Sequence, residues 1–224
     1  MSAGAAPLTI AHRAGNDLSR LAEAAAAGVD YAETDLWLHR GRLEVRHDRT
    51  AGPLPFFWDR WSLMPKRYSL LRAEQVLAAS PAPKPLFDLK GRARGLAPAL
   101  AKAIDAAGAS ERSAFCGHWG HLDRLAALLP SVPRYYTLGR LDDLSAFRPR
   151  LARRDIYGIS IDSRFLTREI VAELREAGVT SIITWAVETA EDAARVFDYG
   201  VSGVTSDSLE LLISIRKGEV APPG

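Results

Sequence analysis

The chain has a single cysteine, Cys116. That excludes an internal disulfide framework, which needs pairs, and a cysteine-based zinc cluster, which needs several thiolates. Long apolar runs are missing as well: none approaches the ~20 residues that span a bilayer. Stable membrane insertion is therefore not expected. Neither a P-loop nor a G-x-G-x-x-G segment occurs, so there is no glycine-rich phosphate loop of those types. Charge of one sign is also lacking. Lys and Arg number 29 against 27 Asp and Glu, a formal net charge of +2, which implies no nucleic-acid or anionic-membrane partner by itself. The stretch Met1 to Pro7 does not pair a charged region with an apolar one, so no secretory signal is read and a cytoplasmic location is expected.

What is there is a globular composition, 47% hydrophobic and 25% charged over 224 residues. This suits one domain, 1–224, with a full core. Short β-type runs alternate with helix-prone ones. Leu8 to Ala11 reads as a strand and Leu18 to Ala27 as a helix stopped by Gly28. Val29 to Leu38 is a second strand, and Leu43 to His47 alternates like its hairpin partner across an Arg40-Gly41 turn. Residues 50–85 break this rhythm with six prolines and the aromatics Phe56, Phe57, Trp58, Trp61 and Tyr68. They read as an inserted loop or lid, with a short helix near Arg72 to Ala79. Six further strands are expected, near Phe87, Phe115, Tyr136, Ile159, Ile183 and Val204, with helices between and after them; Asp207 is expected to cap the last.

Strands alternating with helices imply a parallel sheet. Eight such units imply an α/β fold of the (β/α)8 TIM-barrel type, with an insertion after the second strand and its hairpin. A doubly wound open sheet is the alternative. In the barrel, active sites gather at the C-terminal ends of the strands. His12, Glu33, Asp35, Asp88 and Trp185 all fall at or near such ends.

Glu33 and Asp35 are two apart on a strand, so their side chains share a face. Asp88 adds a third acid. A lone strand acid is ordinarily structural or solvated; three at the strand ends of one barrel favour a hard cation, Mg²⁺ or Ca²⁺, over zinc. Lys90 shares the face of Asp88, either balancing the acids or neutralising a substrate phosphate. A lone histidine is usually packed or on the surface, but His12 and His47 beside this acid set are candidates for general base and acid. Arg13 binds phosphate or braces a carboxylate; its spacing does not decide. Trp185 is core or a pocket wall. Cys116 reads as a buried apolar residue, and His118 as a second pocket candidate.

These segments resemble the glycerophosphodiester phosphodiesterase family and its barrel relatives, the sphingomyelinase D-like enzymes. Ile10-Ala11-His12-Arg13 resembles the opening His-Arg motif, and Glu33-Thr34-Asp35 the Glu-x-Asp metal strand. Val45-Arg46-His47-Asp48 resembles the His-Asp motif, and Asp88-Leu89-Lys90 the acid-x-Lys strand. Thr184-Trp185-Ala186-Val187 and Gly200 to Asp207 resemble the late strand and the closing segment. The resemblance implies a divalent cation held by Glu33, Asp35 and Asp88, and an acid–base pair of His12 and His47. It implies Lys90 and Trp185 as substrate contacts, with Arg13 placed beside them. The expected substrate is a small-molecule, lipid-derived glycerophosphodiester, cleaved to an alcohol and glycerol phosphate; the oligomeric state is left open. Alternatives are a sphingomyelinase D- or lysophospholipase D-like enzyme forming a cyclic phosphate, or a non-catalytic barrel that binds a phosphorylated ligand. Two departures stand out. Gly15-Asn16-Asp17-Leu18 replaces the family's Pro-Glu-Asn-Thr, and Asp88 replaces the more usual Glu.

Overall fold

A computed structural model describes residues 6–50, 56–58, 63–65, 70–79, 82–152 and 155–220, with backbone only at 56–58 and 63–65. Among the described residues twelve strands occur in chain order: β1 (Leu8–Ala11), β2 (Tyr31–His39), β3 (Arg42–Val45), β4 (Arg49–Thr50), β5 (Phe56–Trp58), β6 (Leu63–Pro65), β7 (Lys84–Leu89), β8 (Ala114–Gly117), β9 (Arg134–Leu138), β10 (Gly158–Asp162), β11 (Ser181–Trp185) and β12 (Gly203–Ser206). The helices are α1 (Leu18–Ala26), α2 (Ala73–Ala79), α3 (Leu96–Ala106), α4 (Trp119–Leu128), α5 (Leu141–Leu151), α6 (Arg168–Glu176), α7 (Ala190–Asp198) and α8 (Leu209–Arg216).

Eight strands pair in parallel in the order β1-β12-β11-β10-β9-β8-β7-β2, and β1 pairs with β2 to close the ring. This is the (β/α)8 barrel expected from the alternation, and the open sheet is excluded by the β1–β2 seam. Closure divides the apolar residues into two shells. Ile10, Leu86, Ala114, Cys116, Tyr135 and Ile183 fill the interior. Leu21, Phe87, Leu100, Phe115, Phe147 and Leu212, among others, fill the space between sheet and helices. Each such buried side chain contributes roughly 1.5–3 kcal/mol, which offsets the cost of ordering so many short elements.

Helix starts follow local chemistry. The side chains of Asp17, Thr167 and Thr189 accept from backbone amides in the first turns of α1, α6 and α7, each worth about 1 kcal/mol. One expectation is corrected: α8 is capped by Ser208, which accepts from the Leu211 amide, and Asp207 is left for another partner. At the N-terminal end of the barrel, Asp30 accepts from the Thr9 amide and hydroxyl and from Arg216 at 2.9 Å. That ties α8 across the closing seam.

The insertion holds more structure than a loop. β4, β5 and β6 form a small antiparallel sheet, while α2 supplies the second barrel helix. The aromatic side chains of Phe56, Phe57 and Trp58, and all of Trp61 and Tyr68, lie outside the described residues, as does the expected lid role. No helix of the described residues is long and apolar enough to cross a membrane.

Packing between β1 and β12 is tight at Gly203, where an added Cβ meets Leu8 Cβ and O at 2.5 Å. Gly203→Ala is expected to destabilise the fold by about 1–3 kcal/mol, read as a lowered midpoint in urea unfolding with an unchanged slope.

Candidate active site

β1 ends at Ala11, and the backbone then turns sharply: Arg13 sits in the left-handed region at φ 52 and opens a 3-10 turn over Ala14–Asn16. This settles which way Arg13 points, because the strand has ended before it. The turn lies against β2 so closely that a Cβ on Gly15 meets Thr34 Oγ1 at 1.8 Å. Two donors from the turn reach the acids. The Arg13 amide donates to Glu33 Oε2 at 2.7 Å. The Asn16 amide group donates to Asp35 Oδ2 at 2.7 Å, while the Asp35 backbone N–H donates to Asn16 Oδ1 at 2.8 Å. The turn after His12 is therefore a clamp on two carboxylates, Arg13 holding Glu33 and Asn16 holding Asp35.

Strand parity and register bring in the third. Asp35 on β2 lies directly opposite Asp88 on β7, and one ligand oxygen each from Glu33, Asp35 and Asp88 lie within 4.8 Å of one another. Lys90, just past β7, donates to Asp35 Oδ1 at 2.8 Å and to Asp88. A Cβ on Gly117 would meet Asp88 Oδ1 at 2.4 Å, and its φ of 107 is outside the range most residues adopt. Glycine there lets β8 pass behind the acid.

The electrostatics follow from crowding. Burial, and then the charges of Asp35 and Asp88, push the Glu33 carboxyl well above its usual range. Burial acts the same way on Asp35, but the Lys90 ammonium and the Asn16 amide outweigh it and hold that carboxyl below its usual range. For Lys90, burial is outweighed by Asp88, Asp35 and Glu33, so its ammonium is held well above the ordinary lysine range. Three carboxylates thus face the Lys90 ammonium and the Arg13 Nε, 3.8 Å from Asp35, and a cation among them would favour the ionised form of Glu33. An oxygen-only, buried set of three carboxyl groups fits a hard divalent cation.

Both histidines stand at the rim. His12 Nδ1 is 3.1 Å from Asp207 Oδ1, and the Asp207 amide donates to Glu188 at 3.2 Å. His47 Nδ1 is 3.4 Å from Asp48 Oδ1. A pocket of about 330 Å³ gathers His12, Arg13, Glu33, Asp35, His47, Asp88, Lys90 and Trp185. All eight residues singled out from the sequence thus line one cavity. The remaining wall is Leu86, Cys116, Thr137, Gly139, Ser160, Ala186 and Thr205. Thr137, Ser160 and Thr205 were not anticipated; inward strand parity was the only signal for them. Cys116 sits at the pocket with its thiol pushed well up by burial and by Asp88 and Glu33. His118 is not in this lining; it caps α4 by accepting from the Gly120 amide at 3.2 Å.

The barrel is shared with solved structures of one enzyme group. One described as a glycerophosphoryl diester phosphodiesterase, from Silicibacter pomeroyi, superposes with a TM-score of 0.78 at 18% identity, covering 98% of this chain and 96% of that one. An Oleispira antarctica phosphodiesterase in complex with the product sn-glycerol-3-phosphate gives 0.74 at 19%, covering 95% and 97%. A Parabacteroides distasonis glycerophosphodiester phosphodiesterase gives 0.72 at 18%, covering 96% and 99%. The chain shares the (β/α)8 fold of these structures. No family model and no curated protein matches it by sequence. Within this fold the clamp after His12 is built by Arg13 and Asn16.

Removing the clamp leaves the acids in place but unaligned. Asn16→Ala is expected to weaken Mg²⁺ or Ca²⁺ binding by about 10–100-fold, measured by titration calorimetry.

Proposed function

We propose that the protein is a metal-dependent phosphoric diester hydrolase that cleaves glycerophosphodiesters to an alcohol and glycerol phosphate. The observation that carries this is the convergence of two histidines, three carboxylates and a lysine on one pocket of about 330 Å³. A site that only binds has no use for two proton-transfer groups. The Oleispira antarctica neighbour with this fold holds sn-glycerol-3-phosphate as its product, and a pocket of this size suits a ligand of that class.

Glu33, Asp35 and Asp88 are the residues that would hold the cation. When bound, it supplies Lewis-acid stabilisation of charge developing on the phosphoryl oxygens. Lys90 and Arg13 place positive charge beside the phosphate and orient it. Trp185 walls the alcohol portion. Asp207 holds His12 through Nδ1, which leaves Nε2 as the nitrogen for proton transfer. One histidine takes the proton of the attacking oxygen as the new P–O bond forms. The other protonates the leaving alkoxide as the old P–O bond breaks. The attacking oxygen is that of water; if it were a neighbouring hydroxyl of the substrate, the product would be a cyclic phosphate.

A panel of glycerophosphodiesters and lysolipids, assayed with Mg²⁺ and with Ca²⁺ and with products identified, tests this. Linear glycerol phosphate is expected. His12→Ala and His47→Ala are each expected to lower kcat by about 10²–10⁴-fold without unfolding the protein. Asp207→Asn is expected to lower kcat by less. EDTA should stop the reaction, and full activity in chelator would sink the metal role. Metal binding with no turnover on any diester would mark the barrel as a binding protein.

A further inference from the structure

One buried charge is left unused by this chemistry. Arg46 precedes His47, and its side chain is 6% exposed. A guanidinium taken out of water is costly unless its donors are met, and here they are met in a particular way. Nε donates to Glu44 Oε2 at 3.1 Å, Nη1 to the Asp48 carbonyl, and Nη2 to Thr50 Oγ1 at 2.9 Å. Glu44 lies in the strand before His47; Asp48 and Thr50 lie in the chain after it. The rigid planar fork thus binds the segment on both sides of the histidine. The Arg46 backbone N–H also donates to the Asp35 carbonyl at 3.0 Å, which stitches the same point to the acid strand.

The face of the guanidinium lies over the Trp37 ring at 4.9 Å. Trp37 follows Asp35 by two on β2, and it also abuts Gly91, where an added Cβ would meet Trp37 Cζ3 at 2.9 Å. Gly91 follows Lys90. One indole therefore touches both the arginine next to His47 and the glycine next to Lys90.

We infer that Arg46 is a positioning residue that fixes His47 over the acid cluster, with Trp37 setting the spacing between the His47 and Lys90 segments. This rests on the phosphodiesterase reading. A proton-transfer group displaced by about 1 Å loses much of its effect, whereas Lys90, Arg13 and Trp185 bind substrate without help from the fork. The signature is a loss in kcat with little change in KM.

Steady-state kinetics with Mg²⁺ should be measured for wild type, Arg46→Lys, His47→Ala and the double variant. Arg46→Lys keeps a cation beside Glu44 and loses the fork. It is expected to lower kcat about 10–100-fold, with KM and the Mg²⁺ requirement within about twofold of wild type. In the His47→Ala background the same change should have no further effect, because its route is gone. Thr50→Val, which removes one acceptor only, should give a smaller kcat loss in the same direction; it carries the test if Arg46→Lys fails to fold. Wild-type kcat in both single fork variants overturns the inference, and so does a loss that multiplies with His47→Ala. Wild type inactive on every diester overturns the phosphodiesterase reading itself, and the inference with it.

Discussion

Three carboxylates forced together at the mouth of a barrel are the constraint around which the rest is arranged. Glu33 and Asp35 are almost wholly buried, and Asp88 faces them across one strand spacing. Left alone, like charges at this separation protonate or push apart. Glu33 shows the strain, its carboxyl driven well up by burial and its neighbours. Every adjacent feature answers it. Lys90 bridges Asp35 and Asp88. The turn after β1 supplies an amide to Glu33 and a two-way amide clip to Asp35. Glycines at 15 and 117 let backbone approach where a methyl group would collide. The three carboxyl groups together form a donor set that fits a hard divalent cation.

The barrel makes this tolerable by keeping rigidity and chemistry apart. Its two apolar shells and capped helices supply the stability, and its strand ends present side chains that are costly to hold. The histidines illustrate the division. Neither is on a strand; both are on short segments anchored at two points. His12 is held by the Ser206 carbonyl through its backbone and by Asp207 through its ring. His47 sits between residues gathered around one buried guanidinium. Loops of this kind carry function because the scaffold beneath them does not move.

The wall facing the acids has a different character. Thr137, Gly139, Ser160, Trp185, Ala186 and Thr205 bring hydroxyls, an indole and no titratable group. Charge is confined to one side of the pocket, and the other side is neutral and carries hydroxyls. Cys116 belongs with this neutral set, since burial and the nearby acids keep its thiol protonated.

Much of this was legible beforehand, and the reason is periodicity. The alternation of strands and helices determined the eightfold architecture. The two-residue spacing of Glu33 and Asp35, and of Asp88 and Lys90, determined a shared face, because strand side chains alternate with a fixed period. Position at strand ends then grouped His12, Glu33, Asp35, Asp88 and Trp185. What spacing cannot encode is which partners meet across long separations. Asp207 reads as a helix cap from its neighbours alone, yet it accepts from His12, 195 residues away, because β1 and β12 lie side by side only once the ring closes. Asn16 reads, with Asp17, as a possible helix cap, and its clip on Asp35 exists because a 3-10 turn folds back on β2. The hydroxyl wall is likewise a product of closure, whereas the buried fork of Arg46 depends on the β2–β3 hairpin that lays Trp37 beside it. Local propensity and parity determined the elements and their faces; the tertiary fold alone decided which polar groups would be buried together, since desolvation and pairing depend on neighbours distant in the chain.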